Sequence, residues 1–171
     1  MTPIVLLECL EEFVKEKTKD IILQVRTAPG EKDDKERAAY IYKMQLPREK
    51  DKTQKIPYIL LQVLNGSDDK EKDEPEKSMC KIRMVFATYS EAGGQGSYDV
   101  LNLILRVRSE LEKVGIIGGK FTLQKPLEYI IYPDSPYPYY IGEMVTNWSM
   151  PTIKREVEQY WHCLLYTSPS P

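Results

Sequence analysis

The chain has 171 residues, of which 42% are hydrophobic and 29% charged, and its net charge is −2. This length allows a buried core, and the composition is typical of globular proteins. The near-neutral charge argues against a general nucleic-acid binder, which needs a surplus of cations against phosphates. Twelve tyrosines stand against three phenylalanines. This excess favours either half-buried sheet faces or surfaces that become buried on assembly.

The beginning of the chain predicts an amphipathic helix. Thr2 can cap it, and Pro3 suits the first helical position, where no N–H is needed. Apolar residues recur at helical spacing as far as Val14, and we expect the helix to end near Thr18. No cationic segment precedes the apolar residues, and no stretch approaches the ~20 apolar residues of a membrane span. We therefore expect a cytoplasmic protein with no signal peptide and no membrane partner.

Four strands are predicted in the next part of the chain, because its apolar segments are rich in β-branched and aromatic residues. They cover residues 20–28, 38–46, 57–64 and 79–90. The fourth should pair with the third and turn Ile82, Met84, Phe86 and Thr88 toward one side.

The stretch 66–77 between the last two of these strands has almost no apolar residue, so we expect a solvated hairpin tip. Four acids in it permit a calcium hypothesis: Asp68, Asp69, Glu71 and Asp73. Lysines interrupt them, and no glycine provides the sharp turn of a calcium loop. We expect no metal site there.

A Gly-rich loop, Gly93–Ser97, leads into a central helix predicted over 97–114, with Ser97 as its cap and Gly115 after its end. The apolar face of that helix contains Val100, Ile104, Val107, Leu111 and Val114, widened by Leu101 and Leu105.

A strand followed by a Gly-rich loop and a helix can bind phosphate through free N–H groups, which leaves a nucleotide-binding enzyme as an alternative. This loop lacks the third glycine of a dinucleotide motif and the GK[ST] of a P-loop. Glu91 and Asp99 also place negative charge beside the would-be anion site. We therefore expect no cofactor.

Two further strands, 121–132 and 139–150, are joined by a Pro-rich turn, and Pro126 must lie at an edge or bulge. A short C-terminal helix is predicted from Lys154. Together these elements predict an α+β fold: a single mixed or antiparallel sheet of five to six strands, packed by the N-terminal and central helices. We expect one domain over residues 1–162.

Residues 163–171 (CLLYTSPSP) resemble a translated sequencing adaptor, so we expect the natural chain to continue differently after His162. Before that point there are no HExxH, GxSxG or CxxC motifs. Cys9 and Cys80 have the character of small buried hydrophobes in a reducing compartment. The sequence predicts no catalytic residue, and we expect a protein that is not an enzyme.

Short motifs in the second half carry a resemblance to a known family. They are Ile82-Arg83, Ala87-Thr88-Tyr89-Ser90, the helix start Tyr98 to Ile104, Gly115-Ile116-Ile117-Gly118, Leu123 to Tyr129, Tyr132-Pro133-Asp134, Pro138 to Met144 and Trp148-Ser149-Met150-Pro151. Their order resembles tail terminator or tail completion proteins of phages that infect Gram-positive bacteria. With Pro57-Tyr58-Ile59 and the first helix, the resemblance covers residues 1–161.

The resemblance implies a non-enzymatic structural protein, made in the host bacterial cytoplasm and carried in the virion tail. It would form a closed ring, commonly hexameric, between the tail tube protein and the head–tail connector protein. Another connector or head-closure component is the alternative. As candidate interface residues we select aromatic side chains, which could instead fill the core: Tyr89, Tyr137, Tyr139, Tyr140 and Trp148.

Overall fold

The computed structural model describes residues 2–26, 36–47, 56–70 and 75–152. Helix α1 covers Pro3–Thr18 and helix α2 covers Gln95–Val114. The strands are β1 (Leu23–Gln24), β2 (Glu36–Arg37), β3 (Tyr40–Lys43), β4 (Tyr58–Asp69), β5 (Lys77–Tyr89), β6 (Ile116–Ile117), β7 (Phe121–Ile131) and β8 (Tyr139–Met150).

Six of the strands form one mixed sheet in the order β3-β4-β5-β8-β7-β6, while β1 and β2 form a separate antiparallel pair. Strands β3 and β4 are parallel, and the other neighbours in the large sheet are antiparallel. The predicted α+β fold is confirmed, with six strands in the large sheet and the predicted N-terminal and central helices. None of the described helices is both long and apolar enough to cross a bilayer.

Both helices pack on one face of the large sheet, which we call the helix face. Alternate residues of β5 point toward it: Ile82, Met84, Phe86 and Thr88 face one side, as predicted, and all four are fully buried. The paired residues of β8 on this face include Gly142 opposite Phe86. A Cβ atom on Gly142 would lie only 2.8 Å from Val100 Cγ1 of α2. The absence of a side chain there lets α2 approach β8 closely.

Helix α2 differs from the prediction at its start and on its apolar face. It begins at Gln95, after Gly94 with φ 83°, and Ser97 does not cap it; the Ser97 hydroxyl donates a hydrogen bond to Gly94 O instead. Leu103 is fully buried, whereas Leu105 is 37% exposed, so the stripe widens on the other side. Gly115 ends the helix as predicted, with φ 66° and its N–H bonded to Leu111 O.

Two other predicted boundaries were wrong. Of the predicted strand 20–28, only Leu23–Gln24 is a strand among its described residues. Strand β4 continues to Asp69 and β5 begins at Lys77, because backbone pairing extends the hairpin through polar residues that share no apolar face.

Pro126 lies where its sequence context predicts. The pairing of β7 with β8 shifts register between Gln124 and Glu128, so Pro126 occupies a bulge and interrupts no ladder bond. The predicted helix from Lys154, the adaptor-like residues 163–171, and Glu71 and Asp73 lie outside the described residues.

Candidate functional site

Three of the five candidate interface residues, all tyrosines, come together at the end of β5 and β8 that is nearest the β5–α2 loop. Tyr89 is paired with Tyr139 across the two strands, and their ring centroids are 5.7 Å apart at an interplanar angle of 52°. Tyr137, in the turn before β8, is 66% exposed. We call Tyr89, Tyr137 and Tyr139 the tyrosine cluster.

Hydrogen bonds hold each ring of the tyrosine cluster in place. The Tyr137 hydroxyl donates to Glu91 O at 3.0 Å, and the Tyr89 hydroxyl donates to the Glu91 carboxylate at 2.5 Å. Arg26 donates to the Tyr139 hydroxyl at 2.7 Å, which ties the segment after β1 to the same surface. The polar atoms of the three tyrosines therefore fix the cluster, in which Tyr137 is exposed, Tyr139 half-buried and Tyr89 buried.

The proton on Tyr89 is held more tightly than that of an ordinary tyrosine. Its hydrogen bond to the Glu91 carboxylate, which only the neutral phenol can donate, raises the pKa of Tyr89 to about 12. Burial acts in the same direction, since Tyr89 is 6% exposed. At neutral pH Tyr89 is a fixed, uncharged donor.

Tyr140 belongs to the other face of the sheet. Successive side chains of a strand point to opposite sides, and Tyr140 packs against the first turn of α2. A Cβ atom at Gly96 would lie 2.2 Å from the Tyr140 ring, so the ring occupies the space that a side chain would need. Thr88 Oγ1 donates to Gly96 O at 3.2 Å and fixes the same turn.

Two glycines of the Gly-rich loop have a structural role. The glycine at 96 is required by the Tyr140 ring, and Gly94 by its left-handed backbone. Near the helix start, burial raises the pKa of the Asp99 carboxyl. Within the described residues, no group of three or more His, Cys, Asp or Glu side chains is placed to hold a metal ion.

Trp148 is not a surface residue, which corrects its selection as an interface candidate. It is fully buried on the helix face, opposite Cys80 of β5. Its indole N–H donates to Thr146 Oγ1 at 2.9 Å, and Thr146 in turn donates to Ile82 O. With its polar atom satisfied internally, Trp148 is a core residue.

Sequence reasoning missed a second aromatic group, on the sheet face opposite the helices. Tyr42 makes edge contacts with both Tyr40 and Tyr58 at centroid separations of 6.2 Å. The Arg37 guanidinium lies 3.6 Å from the centre of the Tyr40 ring. Tyr40 and Tyr42 are two residues apart in a predicted strand, which places both rings on one face. That spacing could have predicted the aromatic group.

The middle of that face carries an ion pair. Arg83 Nε donates to Glu143 Oε2 at 2.5 Å, and this bond raises the pKa of Arg83. A hydrogen bond with the same carboxylate raises the pKa of Tyr132. The guanidinium of Arg83 and the carboxylate of Glu143 thus form an ion pair that links β5 to β8.

Comparisons with known proteins bear on the fold alone. No protein-family model matches the sequence, and no curated protein matches it. Thirty-seven chains of solved structures match. One has a TM-score of 0.50 and 10% identity, covers 90% of this chain and 95% of its own, and carries a sequence identifier in place of a functional name. At that identity the likeness shows a shared fold and nothing about function.

Proposed function

We propose that this chain is a non-enzymatic structural protein of a phage tail, of the tail terminator or tail completion type. Its subunits would form a ring that caps the tail tube and joins it to the head connector. The observation that carries the proposal is the tyrosine cluster, in which a 66% exposed Tyr137 ring is held by a hydrogen bond at the end of the sheet. The sequence resemblance over residues 1–161 supplies the class of assembly.

An exposed ring that is already fixed in place is suited to docking. Tyrosine offers a large amphipathic contact, and holding it in advance reduces the side-chain entropy lost on binding. Arg26 adds a cation to the same surface, bonded to Tyr139. Such a mixture of aromatic and arginine side chains is enriched in protein interfaces.

The experiment measures assembly first and the tyrosine cluster second. Light scattering of the purified protein, alone and mixed with tail tube protein, should show a ring-sized oligomer. Tyr137→Ala should weaken binding to the tube or connector protein by about tenfold or more, as truncation of an aromatic anchor does. Tyr98→Ala is the matched control, since Tyr98 is 63% exposed on α2. A protein that stays monomeric and binds neither partner would overturn the proposal.

The choice between a terminator and another head–tail component depends on the partner. A terminator should bind the tube protein, whereas a head-closure component should bind the connector and leave the tube unbound. The same mixing experiment, run with each partner separately, distinguishes the two.

A further inference from the structure

At each side of the large sheet, a short edge strand covers only part of the longer strand beside it. On one side, β3 covers only Tyr58–Leu61 of β4, and the stretch from Leu64 to Asp69 has no strand on its outer side among the described residues. On the other side, β6 covers only Phe121 and Thr122 of β7. The rest of β7 beyond Leu123, whose N–H bonds to Gly115 O, is likewise uncovered within the described part of the chain.

The strand registers show that the short edge strands and the uncovered stretches lie at matching heights. Followed across the sheet, Tyr42 is level with Leu60, Val85, Glu143 and Ile130, and Lys43 is level with Leu61, Met84, Met144 and Tyr129. Strand β3 therefore stands at the height of the uncovered stretch of β7. Strand β6 stands, through Thr122 and Ser149, at the height of Ser67 in the uncovered stretch of β4. Each short edge strand, β3 or β6, is therefore level with an uncovered stretch of β7 or β4 on the opposite side of the sheet.

The backbone groups at the two edges are also placed to pair. The N–H groups of Tyr40 and Met44 donate inward to β4 and the residue before it, so those of Ile41 and Lys43 face outward. On β7, the N–H of Tyr132 donates inward to Ile141, so Ile131 and Tyr129 face outward. Strands β3 and β7 run in opposite directions, as the pairings across the sheet require. Side by side, they would form an antiparallel ladder.

Aromatic and apolar side chains are exposed on both edges, and Lys43 of β3 would lie opposite Tyr129 of β7. Tyr40 is 50% exposed on β3, and on β7 Tyr129 and Ile130 are 42% and 51% exposed. At the other end of the edges, Asp69 ends β4 and Lys120 precedes β7 at nearly the same height. Neither has an ion-pair partner within the ranges that the structure describes. The same register of β3 against β7 therefore brings exposed apolar side chains together and places Asp69 level with Lys120.

We infer that a second copy of this chain docks edge to edge, with β3 of one subunit antiparallel to β7 of the next. The contact is heterologous, because the two edges are different surfaces, and repetition of it around an axis parallel to the strands closes a ring. The tyrosine cluster, at the strand ends, would then lie near one rim of the ring. Since it names the contact through which the proposed ring forms, this inference rests on the proposed function.

Paired cysteines test the contact directly. Tyr42 and Ile130 would be opposite each other as a non-hydrogen-bonded pair, a spacing that suits a disulfide. A mixture of Tyr42→Cys and Ile130→Cys proteins should form disulfide-linked dimers under mild oxidation, and a protein carrying both changes should form a ladder of oligomers. Neither single variant should dimerise with itself, which distinguishes a head-to-tail contact from a two-fold one. The unsubstituted protein controls for the native cysteines.

A charge substitution supplies the second measurement. Ile130→Lys should weaken self-association by about tenfold or more, because it places a cation in an apolar contact. Ile22→Lys is the matched control: Ile22 is 56% exposed and directly precedes β1, which belongs to the separate two-stranded sheet. Suppose the unsubstituted protein is oligomeric, but the cysteines form no disulfide and the Ile130→Lys protein has the same oligomer size. Edge pairing is then wrong, and the proposed ring still stands. An unsubstituted protein that stays monomeric, alone and with the tube protein, and binds neither the tube nor the connector protein overturns both.

Discussion

Substitution of Gly142 by alanine tests whether the close approach of α2 to β8 is a requirement of the fold. The new Cβ would lie 2.8 Å from Val100 Cγ1, 2.9 Å from Ile104 Cδ1 and 3.0 Å from Ile130 O. Ordinary contacts between carbon atoms are ~3.5–4.0 Å, so the helix must shift by several tenths of an ångström. The Val100 side chain is stiff and the Ile130 oxygen is backbone, which leaves little room for local adjustment.

Overpacking of this kind costs about 1–3 kcal/mol of unfolding free energy. For a chain of this length that corresponds to a Tm lower by about 2–12 °C. The matched control is Gly66→Ala in β4, where the nearest atom to the new Cβ would be Met79 O at 3.6 Å. That variant should be neutral or slightly more stable, because alanine loses less backbone entropy than glycine on folding.

The assay is urea denaturation of both variants and the unsubstituted protein, followed by far-ultraviolet circular dichroism. The difference between the two variants isolates the packing term, since each replaces a strand glycine by alanine. Equal midpoints for Gly142→Ala and Gly66→Ala would refute the reasoning, because the helix would then not be held against β8.

Three further predictions concern single side chains. Spectrophotometric titration should show a tyrosine with a pKa of about 12, which is lost in Tyr89→Phe and shifted downward in Glu91→Gln. Because the pKa of Tyr89 is raised in the folded state, its hydrogen bond to Glu91 stabilises the fold fully below the ordinary tyrosine pKa of ~10. That stabilisation is lost as the pH rises through about 12. Thr146→Val should cost about 1–3 kcal/mol by leaving the Trp148 indole N–H unpaired, measured by denaturation followed by tryptophan fluorescence. Gly115→Ala should cost about 1 kcal/mol because φ is 66° there, and Gly115→Asn should cost less in the same assay.

The sequence allowed the long elements to be predicted because each carries a strong repeating pattern. Val100, Ile104, Val107 and Leu111 recur at helical spacing and are all buried, and the alternating residues of β5 fill the core. Boundaries were harder to predict where backbone pairing decided them. The polar end of β4 is a strand because it pairs with β5, and no side-chain pattern reports that contact.

The candidate site was predictable only in part, since its geometry depends on contacts between distant segments. Tyr137 and Tyr139 share a short turn and strand start, but Arg26 reaches them from the other end of the chain. Trp148 has the same aromatic character as its neighbours, yet strand alternation places it on the helix face. Which sheet face the helices cover depends on tertiary packing, and the sequence pattern around Trp148 did not reveal it. Trp148 was therefore wrongly selected as an interface residue.

The pairing of β5 with β8 has a consequence for how the chain folds. Strands β4 and β5 form one hairpin and β7 and β8 another, and each can close from residues that are near in sequence. The seam between β5 and β8 joins residues separated by all of α2 and β7. We expect the two hairpins to form first and the seam to close last, after the rate-limiting step. Mutations at the seam should then slow refolding less than they speed unfolding, which stopped-flow measurements can determine.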